Sequence, residues 1–125
     1  MKENNVVANK SKTFAIKIIR LYQYLASEKK EYVISKQILR SGTSIGANIR
    51  EAIRGQSRAD FTSKMQIALK EASETEYWIE LLQETDYITK DAGESLLTDC
   101  EELIKLISSI VVSMKNDKQG NNSKF

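Results

Sequence analysis

Apolar residues recur three and four positions apart along almost the whole chain, and the two-residue alternation of strands is weak. Phe14, Ile18, Leu21 and Leu25 form one stripe, widened by Ile19 and Tyr22, which predicts a helix over about 11–26 with Ser11 as its N-cap. A charged break, SEKKEY (27–32), follows. The second stripe, Ile38, Leu39, Gly42, Ile45, Gly46, Ile49 and Ile53, predicts a helix over 35–54, capped by Ser35 and ended by a left-handed Gly55. Ser57 with Asp60 three residues on resembles a capping box for a helix over 58–87. In that helix Phe61, Met65, Ala68, Ala72, Thr75, Ile79 and Leu82 alternate in steps of four and three, a heptad seam. Asp91 and Glu94 mark the start of a last helix over 92–115, whose stripe is Leu96, Cys100, Leu103, Ile107, Ile110 and Met114.

Four amphipathic helices on short connections predict an all-α, antiparallel up-down-up-down four-helix bundle in a single domain. On this reading residues 1–10 are a flexible N-terminus and the polar, unpatterned residues 116–125 a disordered tail.

One stretch interrupts the regularity. RSGTSIGANIREA (40–52) places two of the chain's five glycines inside a helix, where each costs about 1 kcal/mol against alanine. Gly42 and Gly46 share a face and open a groove that another backbone or a bulky side chain can enter. The alternative is a local kink, with Ser41 or Ser44 bonding back to an earlier carbonyl. A phosphate loop fits poorly, because no strand precedes the glycines and no Gly-Lys-Ser/Thr follows. Asn48 in this stripe needs a partner, and Ser44 and Glu51 lie about one turn away on either side. These three predict a polar seam beside the groove, read either as a ligand pocket or as a network that sets helix register.

Composition narrows the chemistry. Histidine is absent, which removes the commonest general base and zinc ligand. The single cysteine, Cys100, falls on an apolar stripe and excludes an internal disulfide, so a reducing cytoplasm is the simplest compartment. No apolar run approaches the roughly 20 residues of a membrane span, so no membrane partner is expected. Glu71, Glu74 and Glu76 cluster on the third helix, but a di-metal bundle site wants Glu-x-x-His motifs. We therefore expect no enzyme activity, no metal and no cofactor. Glu71 and Glu74 suit ion pairs instead, with Arg40, Arg50 or Arg54 of the second helix.

Charge is uneven. Residues 1–58 hold 12 Lys/Arg and 4 Asp/Glu, while residues 59–125 hold 7 and 13, giving +8 and −6 and the whole-chain +2. Either the basic half meets nucleic acid, or the halves neutralise each other within a chain or between subunits. Lys12, Lys17 and Arg20 on the first helix, with Lys36, Arg40, Arg50, Arg54 and Arg58 in and after the second, are the candidate phosphate contacts. No base-reading motif accompanies them, so such binding would follow the backbone and depend on salt. Ile67, Tyr77, Trp78 and Leu81 widen the apolar arc of the third helix, which fits either a subunit interface or a broad core stripe.

QILRSGTSIGANIREA (37–52) followed by DFTSKMQIALKEASETEYWIELL (60–82) resembles the bacterial four-helix-bundle family. Its members include proteins encoded in intervening sequences of large-subunit ribosomal RNA genes, and the accessory variability determinant of diversity-generating retroelements is a related group. The Ser-Ile-x-x-Asn-Ile-x-Glu core is Ser44, Ile45, Asn48, Ile49 and Glu51 here. Gly46 stands at the family's usual proline and Ala52 at its usual glycine, which suggests a subfamily and a bend near Gly46. The resemblance implies a homo-pentameric ring without assigned catalysis. In the retroelement members it also implies a basic surface that binds nucleic acid and a reverse transcriptase.

Overall fold

The computed structural model describes residues 2–123, in which the chain forms four helices and no strand. They are α1 (Lys2–Ser27), α2 (Ile34–Ile53), α3 (Arg58–Glu84) and α4 (Lys90–Ser123). The bundle predicted from the stripes is present. α2 packs on α3 most extensively, α1 on α2 and α3 on α4 nearly as much, and α1 and α4 meet along a narrower seam. The core is continuous: Phe14, Ile18 and Leu25 of α1 meet Ile38, Ile45 and Ile49 of α2, Met65, Ile79 and Leu82 of α3, and Leu103 and Ile107 of α4. Burying side chains of this size contributes roughly 1.5–3 kcal/mol each.

The helix ends depart from the expected ones in instructive ways. α1 starts at Lys2, not near Ser11, so residues 2–10 are helical rather than a flexible arm. The apolar stripe continues upstream through Val7, which is fully buried. Ser11 is therefore not an N-cap; it is buried in mid-helix with its hydroxyl on the Ala8 carbonyl at 2.9 Å. Ser35 is not the cap of α2 either. Glu31 takes that role: its carboxylate accepts the Ser35 N–H at 2.7 Å, the Ile34 N–H at 3.1 Å and the Val33 N–H at 3.2 Å, and the Ser35 hydroxyl donates to its carbonyl at 2.8 Å. Burial alone would raise the Glu31 carboxyl, but the three backbone N–H bonds, with the Ser35 hydroxyl also close to the carboxylate, hold it below the ordinary value.

Gly55 is not left-handed; no glycine has positive φ among the described residues. Its N–H closes a tight turn onto the Ala52 carbonyl at 3.1 Å, the same oxygen that a Cβ at position 55 would approach to 3.1 Å. Ser57 caps α3 as expected, its hydroxyl accepting the Asp60 N–H at 3.0 Å. α3 ends at Glu84, three residues early, in a Schellman turn. There Tyr87 N–H bonds the Leu82 carbonyl and Asp86 N–H the Gln83 carbonyl, and Asp86 takes the left-handed φ of 65°. The start of α4 is capped by Thr89, whose hydroxyl accepts the Ala92 N–H at 3.1 Å, and not by Asp91. α4 continues helically past 115 to Ser123 in place of the expected disordered tail; Lys124 and Phe125 lie outside the described residues.

Candidate nucleic-acid interface

The two glycines mark where α1 and α2 come closest. A Cβ on Gly42 would stand 2.8 Å from Ile18 Cγ2 and 2.9 Å from Cγ1. A Cβ on Gly46 would stand 3.2 Å from the Ser11 hydroxyl and 3.6 Å from the Ser11 backbone carbon. Close packing is thus the use of both glycines. The back-bonds considered for a kink are present as well, Ser44 to the Arg40 carbonyl at 2.6 Å and Ser41 to the Ile38 carbonyl at 3.4 Å, within an unbroken α2.

Beside that contact α1 and α2 border an open groove of about 950 Å³. Small residues floor it: Ala8, Ser11 and Ala15 from α1, Gly46 and Ala47 from α2. Lys12, Arg50 and Arg54 line it, joined by Lys64 of α3. The cause lies in the sequence: Lys12 follows buried Ser11, and Arg50 and Arg54 are one turn apart on α2. Lys12, Arg50 and Arg54 are exposed and have no ion-pair partner among the described residues. Glu51 is the only acidic residue of the lining, and it pairs with Lys64 at 3.1 Å.

The other candidate cations are disposed differently. Lys17 reaches Asp99 of α4 at 2.6 Å, and neighbouring Lys10 reaches Glu102 at 3.0 Å. Arg40 forks across α3, with Nη1 on Glu71 at 2.8 Å and Nη2 on Glu74. That is the expected Arg–Glu tie between α2 and α3, and Arg40, though exposed, lies outside the groove lining. Arg20 and Lys36 are exposed away from the groove, and Arg58 opens α3 outside its lining. Of the eight cations singled out, three converge. Lys64 completes the groove and escapes a reading by halves, because it belongs to the acidic half.

Ser44, Asn48 and Glu51 do not form a seam. Ser44 bonds the Arg40 carbonyl, Asn48 donates to the Ser44 carbonyl at 2.8 Å, and Glu51 turns to Lys64. Ser44 and Asn48 find their partners within α2 and Glu51 finds its own on α3, so the three are not joined in one network. The buried polar contact between helices lies elsewhere: the Thr75 hydroxyl is 2.8 Å from both the Ser41 hydroxyl and the Glu71 carbonyl, and its single proton serves these two contacts. Thr75 on an otherwise apolar seam is the sequence signal for it.

On α3, Ile67 and Tyr77 are 39% and 54% exposed, while Trp78 and Leu81 are half-buried. Tyr77 and Trp78 rings lie 5.4 Å apart, and the Trp78 indole nitrogen is buried without a hydrogen-bond partner. Among the described residues no group of three or more His, Cys, Asp and Glu side chains is arranged to hold a metal. The acidic cluster divides, Glu71 and Glu74 to Arg40, while burial and then the charges of Glu80 and Glu101 raise the Glu76 carboxyl. Cys100 is buried with its thiol on the Ala72 carbonyl at 3.3 Å; burial first, then Glu76, Glu101 and Asp99, push it up to about 12. A thiol in that state is no nucleophile. No helix among the described residues is long and apolar enough to cross a membrane.

Residues 3–109 match the family described as 23S rRNA-intervening sequence protein. A crystal structure of a protein of unknown function from the S23 ribosomal protein family of Bacteroides thetaiotaomicron VPI-5482 is similar at 60% sequence identity and a TM-score of 0.86. The match covers 87% of this chain and 97% of that one. No curated protein matches the chain.

Proposed function

The chain belongs to the family of 23S rRNA-intervening sequence proteins, and from that premise we propose that it is a non-enzymatic helical bundle that binds RNA along the α1–α2 groove. The observation that carries this reading is the contrast among its cations. Lys10, Lys17 and Arg40 lie outside the groove beside carboxylates of α4 and α3, whereas Lys12, Arg50 and Arg54 converge on it with no ion pair among the described residues. Unpaired cations attract phosphates and release counterions when they bind them. Among the described residues the groove lining holds no aromatic side chain on which a base could stack, so recognition follows the backbone and is indifferent to sequence. The test is binding of generic RNA at low salt. Arg50→Glu and Arg54→Glu each weaken it, roughly tenfold, and equally for unrelated sequences. No binding by the unaltered protein at low salt defeats the reading.

The bundle further assembles with copies of itself, a ring of five on the family resemblance. Exposed Ile67 and Tyr77 beside the unpartnered Trp78 N–H supply an apolar face with one unmet donor. Light scattering at several concentrations tests this, and a monomer throughout refutes it. A second reading, an oligomer without RNA, draws on the ion pairs that already join basic α1 to acidic α4. It predicts assembly without RNA binding.

A further inference from the structure

We infer that Glu51 is a built-in restraint on the groove: it occupies Lys64 and so withholds one cation from the RNA backbone. The inference rests on the RNA reading above and names a residue that sets the affinity of that site.

The geometry is specific. Glu51 and Lys64 both line the groove that holds Lys12, Arg50 and Arg54, and their charged ends meet at 3.1 Å across α2 and α3. Glu51 is the lone anion of the lining. It immediately follows Arg50 and lies one turn before Gly55, so α2 alternates attraction and repulsion toward an incoming phosphate at adjacent positions. The side chains are 60% and 41% exposed, and water reaches the pair. An exposed pair of this kind is held weakly and its members exchange partners readily. A phosphate arriving between Lys12 and Arg54 therefore competes with Glu51 for the Lys64 ammonium. With Glu51 charged, the groove offers three free cations; with Glu51 neutral, it offers four.

Two consequences separate this restraint from simple repulsion of RNA by a nearby carboxylate. Removing the charge of Glu51 adds one phosphate contact, which steepens the dependence of log K on log[salt] by about 0.7 for a single strand. The gain also requires Lys64, because the released ammonium is what makes the contact.

The experiment measures binding of a fluorescein-labelled poly(U) 20-mer from about 50 to 200 mM salt. Unaltered protein, Glu51→Gln, Lys64→Met and the double variant are compared, with circular dichroism confirming that all four are folded. The expected result is that Glu51→Gln binds roughly three- to tenfold more tightly at the lowest salt, with a slope steeper by about 0.7. In the Lys64→Met background, Glu51→Gln leaves the slope unchanged and gains clearly less affinity. Glu51→Gln identical to the unaltered protein overturns the restraint while leaving the RNA reading intact. A gain of the same size and steepening without Lys64 also overturns it, since repulsion alone then accounts for the effect. Absence of binding by both the unaltered protein and Glu51→Gln defeats the RNA reading itself, and the restraint with it.

Discussion

Replacing Gly42 with alanine tests how tightly α1 seats on α2. Helix propensity favours the change by about 1 kcal/mol. The structure opposes it: the new methyl would lie 2.8 and 2.9 Å from two γ carbons of Ile18, which is fully buried. Those atoms adjoin Cβ in a β-branched side chain that is stiff at χ1, so they cannot swing aside. Overpacking of this kind costs about 1–3 kcal/mol, leaving Gly42→Ala roughly 1 kcal/mol less stable than the unaltered protein. Gly46→Ala is the internal control. It gains the same propensity term, but meets the Ser11 hydroxyl at 3.2 Å, an oxygen that a rotamer change can move. It should be neutral or up to about 1 kcal/mol more stable. The difference between the two variants, about 1–2 kcal/mol, cancels propensity and reports the contact alone. Urea unfolding followed by circular dichroism at one fixed protein concentration measures it, with unchanged m-values as the check that only stability has moved. Ile18→Ala should then cost less in the Gly42→Ala background than alone, a coupling of about 0.5–3 kcal/mol. Equal stabilities for the two alanine variants, or a more stable Gly42→Ala, would refute the close approach.

Two further outcomes follow from the side-chain chemistry. Glu31 has a folded-state carboxyl held below its ordinary value, so its stabilising contribution is complete above that value and is lost as pH falls through the lower folded one. Glu31→Ala should cost about 1–2 kcal/mol at neutral pH, and the deficit against the unaltered protein should shrink in acid titrations of stability below about pH 4. Cys100, pushed up to about 12 and fully buried, should not react with Ellman's reagent at pH 8 until the protein is unfolded.

What could be read from the residues alone divides along physical lines. Helix number, order and core composition were legible because a 3.6-residue stripe is a property of many positions at once: Phe14, Ile18 and Leu25 on α1, or Met65, Ala68 and Ala72 on α3, constrain one another. The ends were less legible because each depends on one or two side chains whose geometry has alternatives. Ser35 had the right chemistry for a cap, yet Glu31, four residues earlier, accepts the Ile34 and Ser35 N–H groups with a full charge and the helix starts sooner. Val7 was too isolated to extend α1 by itself, although it is buried as deeply as Ile18. The Arg40 fork was accessible because long complementary side chains on adjacent faces find each other. The groove was not, since it needs the α1–α2 crossing point before Lys12, Arg50, Arg54 and Lys64 can be seen together. Likewise Lys17 was indistinguishable from Lys12 until α4 brought Asp99 against it.

That last pair supplies the most direct test of RNA binding through unpaired cations. The measurement is the slope of log K against log[salt] for a generic single-stranded RNA. With three contacts from Lys12, Arg50 and Arg54 it should be about −2. Arg50→Glu combined with Arg54→Glu should flatten most of it, while Lys17→Gln, which lies outside the groove beside Asp99, should leave it unchanged. A slope that survives the double reversal, or that Lys17→Gln flattens equally, would contradict the assignment of the groove.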